Sequence, residues 1–285
     1  MLKTPVIDFH THIFPPDVCA HRERYLERDA TLRDLYASAK ARMTGADELL
    51  QAMDEDKVDV SVAMGIGWTD QGLARECNDY IIETARKHAK RIVGFAGVNP
   101  AWGDAAAVEA ERCAAAGLRG IGELHPDTQG FDITNQADMA LLMEAARHHK
   151  LLVTLHSSEP VGHAYAGKGK TTPERVMRFV ANFPDITSIL AHWGGGLPFY
   201  NLMPEVRTTL ANVYFDTAAS PFLYDTRVFD TAAILVGAGR VLVGSDYPLL
   251  RHGRLRAQVE TSKLTPAERE ALLGGNAAAL LGLRR

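Results

Sequence analysis

The stretch Val6-Ile7-Asp8-Phe9-His10-Thr11-His12 (VIDFHTH) opens on apolar residues of strand type and closes on two histidines one residue apart. Successive side chains of a strand point to opposite faces, so residues two apart share a side. His10 and His12 are therefore expected on one side at the end of a first strand, with Asp8 sharing their parity. Two imidazoles so placed can hold one metal ion. An isolated pair carries little weight, and what lies downstream decides its meaning.

Seven further apolar runs follow, at 58–64, 91–98, 118–122, 151–155, 186–191, 213–216 and 240–244. Each has the length and character of a strand buried on both faces. Amphipathic stretches separate them. Residues 73–88 set Leu73, Cys77, Tyr80, Ile81 and Ala85 along one stripe, and 138–149 does the same with Met139, Leu142, Met143 and Ala146. Asp104 is expected to cap a helix over 104–116. Thr172-Pro173 and Thr265-Pro266 each put a capping residue before a proline at the first helical position. Strict alternation of this kind implies an α/β protein with a parallel sheet and helices outside. Eight units in 285 residues predict closure into a (β/α)8 (TIM) barrel, for which about 250 residues is typical. No GxGxxG follows the first strand, which disfavours an open dinucleotide-binding sheet.

Residues 13–45 break the repeat. They are too long for an ordinary βα loop and rich in helix formers. They are expected to form a helical insertion after strand one, within a single domain spanning 1–285. Shaping the pocket and decorating the surface are both open to it.

The composition is that of a globular protein, with 46% hydrophobic and 23% charged residues. The net charge of −4 and the lack of a basic run argue against nucleic acid as a partner. No apolar run approaches the roughly 20 residues of a membrane span, and the N-terminus is too short in apolar residues for a signal peptide. Three cysteines, Cys19, Cys77 and Cys113, show no CxxC spacing; a reducing, cytoplasmic setting is expected. A homodimer fits the general frequency of twofold symmetry.

The chemistry lies at the strand ends. Strand five ends in His156, strand six in His192 and strand eight in Asp246. Barrel active sites form at these C-terminal ends from several strands. With His10 and His12, these residues supply imidazole and carboxylate ligands for a divalent ion, zinc being expected and manganese or another divalent ion fitting too. Such an ion brings the pKa of a bound water down to about 7. Asp246 suits the double role of ligand and base. His192 is expected either on the metal or polarising a substrate oxygen. Glu123, at the end of strand four, is a further ligand candidate, so one or two ions are expected.

The polar loop after His156 lies where a substrate would sit. His163 and Lys168 are candidate substrate contacts there, as is Arg251 after Asp246, for a substrate carboxylate. His125 is divided evenly between pocket and surface. The glycines 194–196 are expected to turn the chain after His192, with Trp193 as a pocket wall or packed beneath.

This pattern resembles the amidohydrolase superfamily, and more narrowly the branch that includes aminocarboxymuconate-semialdehyde decarboxylase. VIDFHTH, AHWGGG (191–196), GSDYP (244–248) and the Phe14-Pro15-Pro16 start of the insertion carry the likeness, which covers about residues 5–283. The branch holds carbon–carbon lyases, hydratases and hydrolases. In TatD-type nucleases a glutamate placed like Glu123 bridges two metals. The expectation adopted is a metal-dependent hydrolase of a small, anionic ester, lactone or amide. Its alternative is a non-oxidative decarboxylase of a small unsaturated or aromatic acid. A non-catalytic metal- or metabolite-binding barrel is disfavoured by the full set of ligand types.

Overall fold

The computed structural model describes residues 4–283. Eight parallel strands run in sequence order around a barrel: β1 Ile7–His12, β2 Val60–Met64, β3 Ile92–Ala96, β4 Gly120–Leu124, β5 Leu152–Leu155, β6 Ser188–Leu190, β7 Val213–Asp216 and β8 Val241–Leu242. The seam between β8 and β1 is closed by backbone bonds from Phe9 N to Val243 O (2.9 Å), Asp246 N to His10 O (2.9 Å) and His12 N to Tyr247 O (2.7 Å). Almost every strand residue is buried, as a sheet covered by helices requires.

Two apolar layers result. Ile7, Phe9, Val62, Met64, Phe95, Ile189 and Leu242 fill the barrel interior, with Ala277 and Leu281 packed against them. The opposite strand faces, such as Ala63, Ile121, Val153 and Phe215, pack on the helices. The register of β1 on β2 shifts between Asp8 and Thr11, so simple parity fails there. Asp8 accordingly accepts bonds from Ser245 N (2.8 Å) and Ser245 Oγ (2.6 Å), tying the end of β8 to β1.

The helices follow the expected stripes, at Gln71–Lys87, Asp104–Ala115 and Gln136–His149. The cap of the second differs from expectation: Gly103 is the cap and Asp104 is the first helical residue. Thr172 occupies the cap before Pro173 without a side-chain bond, whereas Thr265 and Glu268 make a full capping box. His252 starts a helix and is only 3% exposed.

Residues 13–45 hold three short helices, Pro16–Ala20, Arg22–Arg28 and Ala30–Tyr36. Phe14, Val18, Leu32 and Tyr36 pack on Ile66, Trp68 and Leu73 beyond the C-terminal end of β2. A single carboxylate pins this layer. Asp29 is fully buried and accepts from Leu32 N (2.8 Å), Thr69 N (2.6 Å), Thr69 Oγ1 (3.0 Å) and Asp70 N (2.8 Å). Asp29→Ala would leave these buried donors unpaired, at about 1–3 kcal/mol for such a group. A stability loss of about 3 kcal/mol is expected in chemical denaturation; an unchanged midpoint would refute the pinning role.

Candidate metal centre

The strand ends converge on one buried cluster. His10, His12 and Asp246 form one set of ligand atoms, and Glu123, His156 and His192 a second, each set within 4.8 Å of itself. Glu123 lies between them. Its Oε2 is 3.6 Å from His10 Nε2 and 3.8 Å from His12 Nε2. Its Oε1 is 3.1 Å from His156 Nδ1 and 3.3 Å from His192 Nε2. Asp246 Oδ1 approaches His12 Nε2 at 3.4 Å and His10 Nε2 at 3.8 Å.

The far nitrogens show which way the rings are set. His10 Nδ1 is 2.9 Å from Asp216 Oδ2, His12 Nδ1 is 3.3 Å from Met64 O, and His192 Nδ1 is 3.0 Å from Ala218 O. An ionised carboxylate or a carbonyl only accepts, so each Nδ1 carries the proton. Around a bound cation the His10 and His12 rings would be neutral and would aim Nε2 lone pairs into the cluster, the orientation that outer partners impose on metal-binding histidines. His10 Nε2 and His12 Nε2 stand only 3.0 Å apart. Two lone pairs at that distance, beside two carboxylates, repel each other unless a positive charge joins them. The donor set thus fits a divalent cation.

Without a cation the same field acts on protons. Burial opposes charge on His10, yet Asp216 and Glu123 hold its imidazolium form well above the usual range. Burial also opposes charge on His192, but Glu123 raises it to about 9. Against its own burial, Glu123 is held well below the usual carboxylate range by His10 and His156. Asp246 is likewise lowered against burial by His12, His10 and His192.

Backbone geometry serves this placement. His192, Trp193 and Asp246 have φ of 55°, 57° and 66°, a left-handed conformation that side-chain-bearing residues rarely adopt. The left-handed turn runs on through Gly194, Gly195 and Gly196, as the turn reading expected. At Gly195 a Cβ would overlap the Ser158 carbonyl, so this turn also packs on the loop after β5. Gly244 lets β8 approach β1; a Cβ there would lie 2.6 Å from that of His10. Trp193 packs beneath, fully buried, with Nε1 donating to Ser220 Oγ at 2.9 Å.

Above the cluster opens a cavity of about 360 Å³. His12, Glu123, His156, His192 and Asp246 form its floor, and Leu35, Phe222, Leu223 and Leu249 an apolar wall. His163 lines it as expected, at an exposed position. Lys168 does not: its Nζ donates to Val161 O (2.7 Å) and His163 O (2.9 Å), closing the loop on itself. Arg251 is also elsewhere, paired with Asp56 (2.9 Å) and Glu55 (3.0 Å). The arginine of the cavity is Arg42, from the insertion, with no carboxylate at ion-pair distance among the described residues. Tyr36 and Leu35 of the insertion also line the cavity, so this segment shapes the pocket. His125 is buried, lines the cavity and stacks on His156 with ring centroids 3.9 Å apart. Burial, then His156, pushes its imidazole well below the usual range, so the ring is neutral.

Asp216 was not anticipated. It ends β7, and it is fully buried, holding His10 Nδ1 as well as the backbone N–H groups of His192 (3.1 Å) and Ala218 (3.0 Å). The signal was present, since a carboxylate closing an apolar strand is the reason Asp246 stood out.

Barrel, strand-end ligands and cavity together define a metal-dependent enzyme. The amidohydrolase family profile (Amidohydro_2) matches residues 7–283, and the chain belongs to that family. It is 24% identical to 2-amino-3-carboxymuconate-6-semialdehyde decarboxylase of Dictyostelium discoideum, over 97% of this chain and 91% of that one. Its identity to gamma-resorcylate decarboxylase of Polaromonas sp. is also 24%, over 74% and 77%. In fold it is similar to 5-carboxyvanillate decarboxylase of Sphingomonas paucimobilis, with a TM-score of 0.81 at 18% identity, covering 99% and 100% of the two chains. A second solved relative is dihydroxybenzoic acid decarboxylase of Polaromonas sp., bound to manganese and 2-nitroresorcinol, with a TM-score of 0.73 at 19% identity over 99% and 98%. All four are decarboxylases, which overturns the hydrolase expectation in favour of its alternative. Among the described residues no helix is long and apolar enough to cross a membrane.

Elemental analysis of protein loaded with manganese is expected to give about one ion per chain, lost in the double variant His10→Ala/His12→Ala, because those paired lone pairs are the strongest local demand for a cation. A count near two that falls toward one in Glu123→Gln would instead make Glu123 a bridge.

Proposed function

We propose that the protein is a metal-dependent, non-oxidative decarboxylase of a small aromatic or unsaturated carboxylic acid. The observation that carries this reading is the cavity itself. A floor of metal ligands and an apolar wall enclose a space with one arginine and no carboxylate partner for it. The ion is proposed to be manganese rather than the expected zinc, held by His10, His12, His156 and Asp246, with Glu123 and His192 beside it. A histidine and carboxylate set without thiolate admits either metal, and a related decarboxylase carries manganese. When bound, the ion supplies positive charge that holds substrate oxygens and stabilises negative charge.

The protein's own groups do the rest. Leu35, Phe222, Leu223 and Leu249 offer apolar contact to a flat substrate body. Arg42 pairs with a carboxylate of the substrate at the rim. Breaking the carbon–carboxylate bond releases carbon dioxide and leaves an electron pair on carbon, which must take up a proton. His192, on the cavity floor with its protonated form favoured by Glu123, is placed to deliver it and to be reprotonated from water, while Asp246 beside it stays an ionised carboxylate. No oxidant enters this balance. His163, exposed on the covering loop, is proposed as a substrate contact.

Manganese-loaded enzyme is expected to release carbon dioxide from at least one member of a panel of hydroxylated benzoic and unsaturated acids, without oxidant. Cleavage of esters or lactones with no carbon dioxide from any acid would reverse the reading. In Arg42→Gln, KM for the decarboxylated acid should rise about tenfold, equal to ~1.4 kcal/mol at an exposed rim. An unchanged KM would remove Arg42 from the substrate site.

A further inference from the structure

His125 lines the cavity, and the reaction above leaves it unused. Its backbone N–H donates to Gln129 Oε1 (2.8 Å), and Gln129 Nε2 is in turn fixed by Trp68 O (3.1 Å) and Val98 O (2.9 Å). Its ring lies on that of His156 with only 21° between the planes. Its Nδ1 is 3.4 Å from Thr128 Oγ1, and that hydroxyl accepts from Thr31 of the insertion at 2.8 Å. Gly67 lies so close beneath that a Cβ there would overlap the His125 side chain.

All this fixes a ring whose other nitrogen has no partner. His125 Nε2 is buried and makes no hydrogen bond among the described residues. A buried polar atom left unpaired costs about 1–3 kcal/mol and calls for an explanation. Here the residue lines the substrate cavity. The covering loop passes over it at Gly167, where an added Cβ would lie 3.7 Å from Nε2; at this position the loop offers no side chain to bond it.

We propose that His125 Nε2 is a substrate-recognition site, which hydrogen-bonds a hydroxyl substituent carried by the acid in addition to its carboxylate. A hydroxyl suits the position because it both donates and accepts, and so pairs with Nε2 whether or not that nitrogen carries a proton. A second negative charge does not suit it, because the cavity floor already holds Glu123 and Asp246. This rests on the decarboxylase reading for the carboxylate and adds what distinguishes one acid from another. A site built to bond a hydroxyl rejects the analogue that lacks it, because its own polar atom then stays unpaired.

The test is equilibrium binding to manganese-loaded protein, by calorimetry, of benzoate and of 2-, 3- and 4-hydroxybenzoate. Wild type is expected to prefer one hydroxylated isomer over benzoate by about fivefold to tenfold, the worth of one hydrogen bond. His125→Phe keeps the stack on His156 and should erase that preference, with benzoate affinity and metal content unchanged. If the Phe variant does not fold, His125→Asn is used, with the same loss expected because its shorter side chain cannot reach. A preference retained in the variant overturns the proposal and leaves the decarboxylase reading intact. Binding of none of the four acids also overturns the proposal, whereas the decarboxylase reading falls only if no acid of the wider panel releases carbon dioxide.

Discussion

A carboxylate shut away from solvent organises the metal centre. Asp216, at the end of β7, takes the ring proton of His10 on β1 and the backbone N–H groups of His192 and Ala218. Burying an unpaired charge is prohibitive, so the residue is tolerable only where several donors meet it. That requirement joins three separate strand ends. Once His10 Nδ1 donates to Asp216, its Nε2 is committed to the cluster, where His12, Glu123 and Asp246 wait. The outer hydrogen bond therefore sets the protonation form, the ring orientation and the negative field that attracts a cation.

The barrel was legible because its signal is repeated. Eight apolar runs separated by amphipathic stretches each carry modest information, but the alternation leaves few topologies. The candidate ligands stood out for the same reason: His10, His12, His156, His192 and Asp246 all sit at or just past the ends of apolar runs. Asp216 met that criterion too, as the last residue of the run 213–216, and was not singled out. Parity on β1 misled for Asp8, since the register shift cannot be read from residue types.

Substrate groups were harder to read, and the failures share a cause. Lys168 and Arg251 were chosen by closeness in sequence to ligand motifs. A long side chain on a loop goes where its nearest partners are: Lys168 to carbonyls of its own loop, Arg251 to Glu55 and Asp56. Arg42 stands far from every metal motif in sequence and reaches the cavity because Asp29 and an apolar layer dock the insertion. Contacts made through tertiary packing leave no periodic trace.

Hydrolysis was preferred from sequence because ligands and a carboxylate suffice to activate water. The same floor serves decarboxylation, so the ligand set alone does not choose the reaction. What separates the two is the ceiling. A hydrolase must admit water beside the scissile bond, whereas loss of carbon dioxide profits from its exclusion, because a carbon electron pair gains from a dry, apolar wall and a proton delivered from a fixed group. Here the ceiling comes from Leu35 of the insertion and from Phe222, Leu223 and Leu249 beyond β7 and β8, all apolar. These residues lie on segments outside the strands and the ligand motifs, where residue types next to the metal motifs carry no information about them.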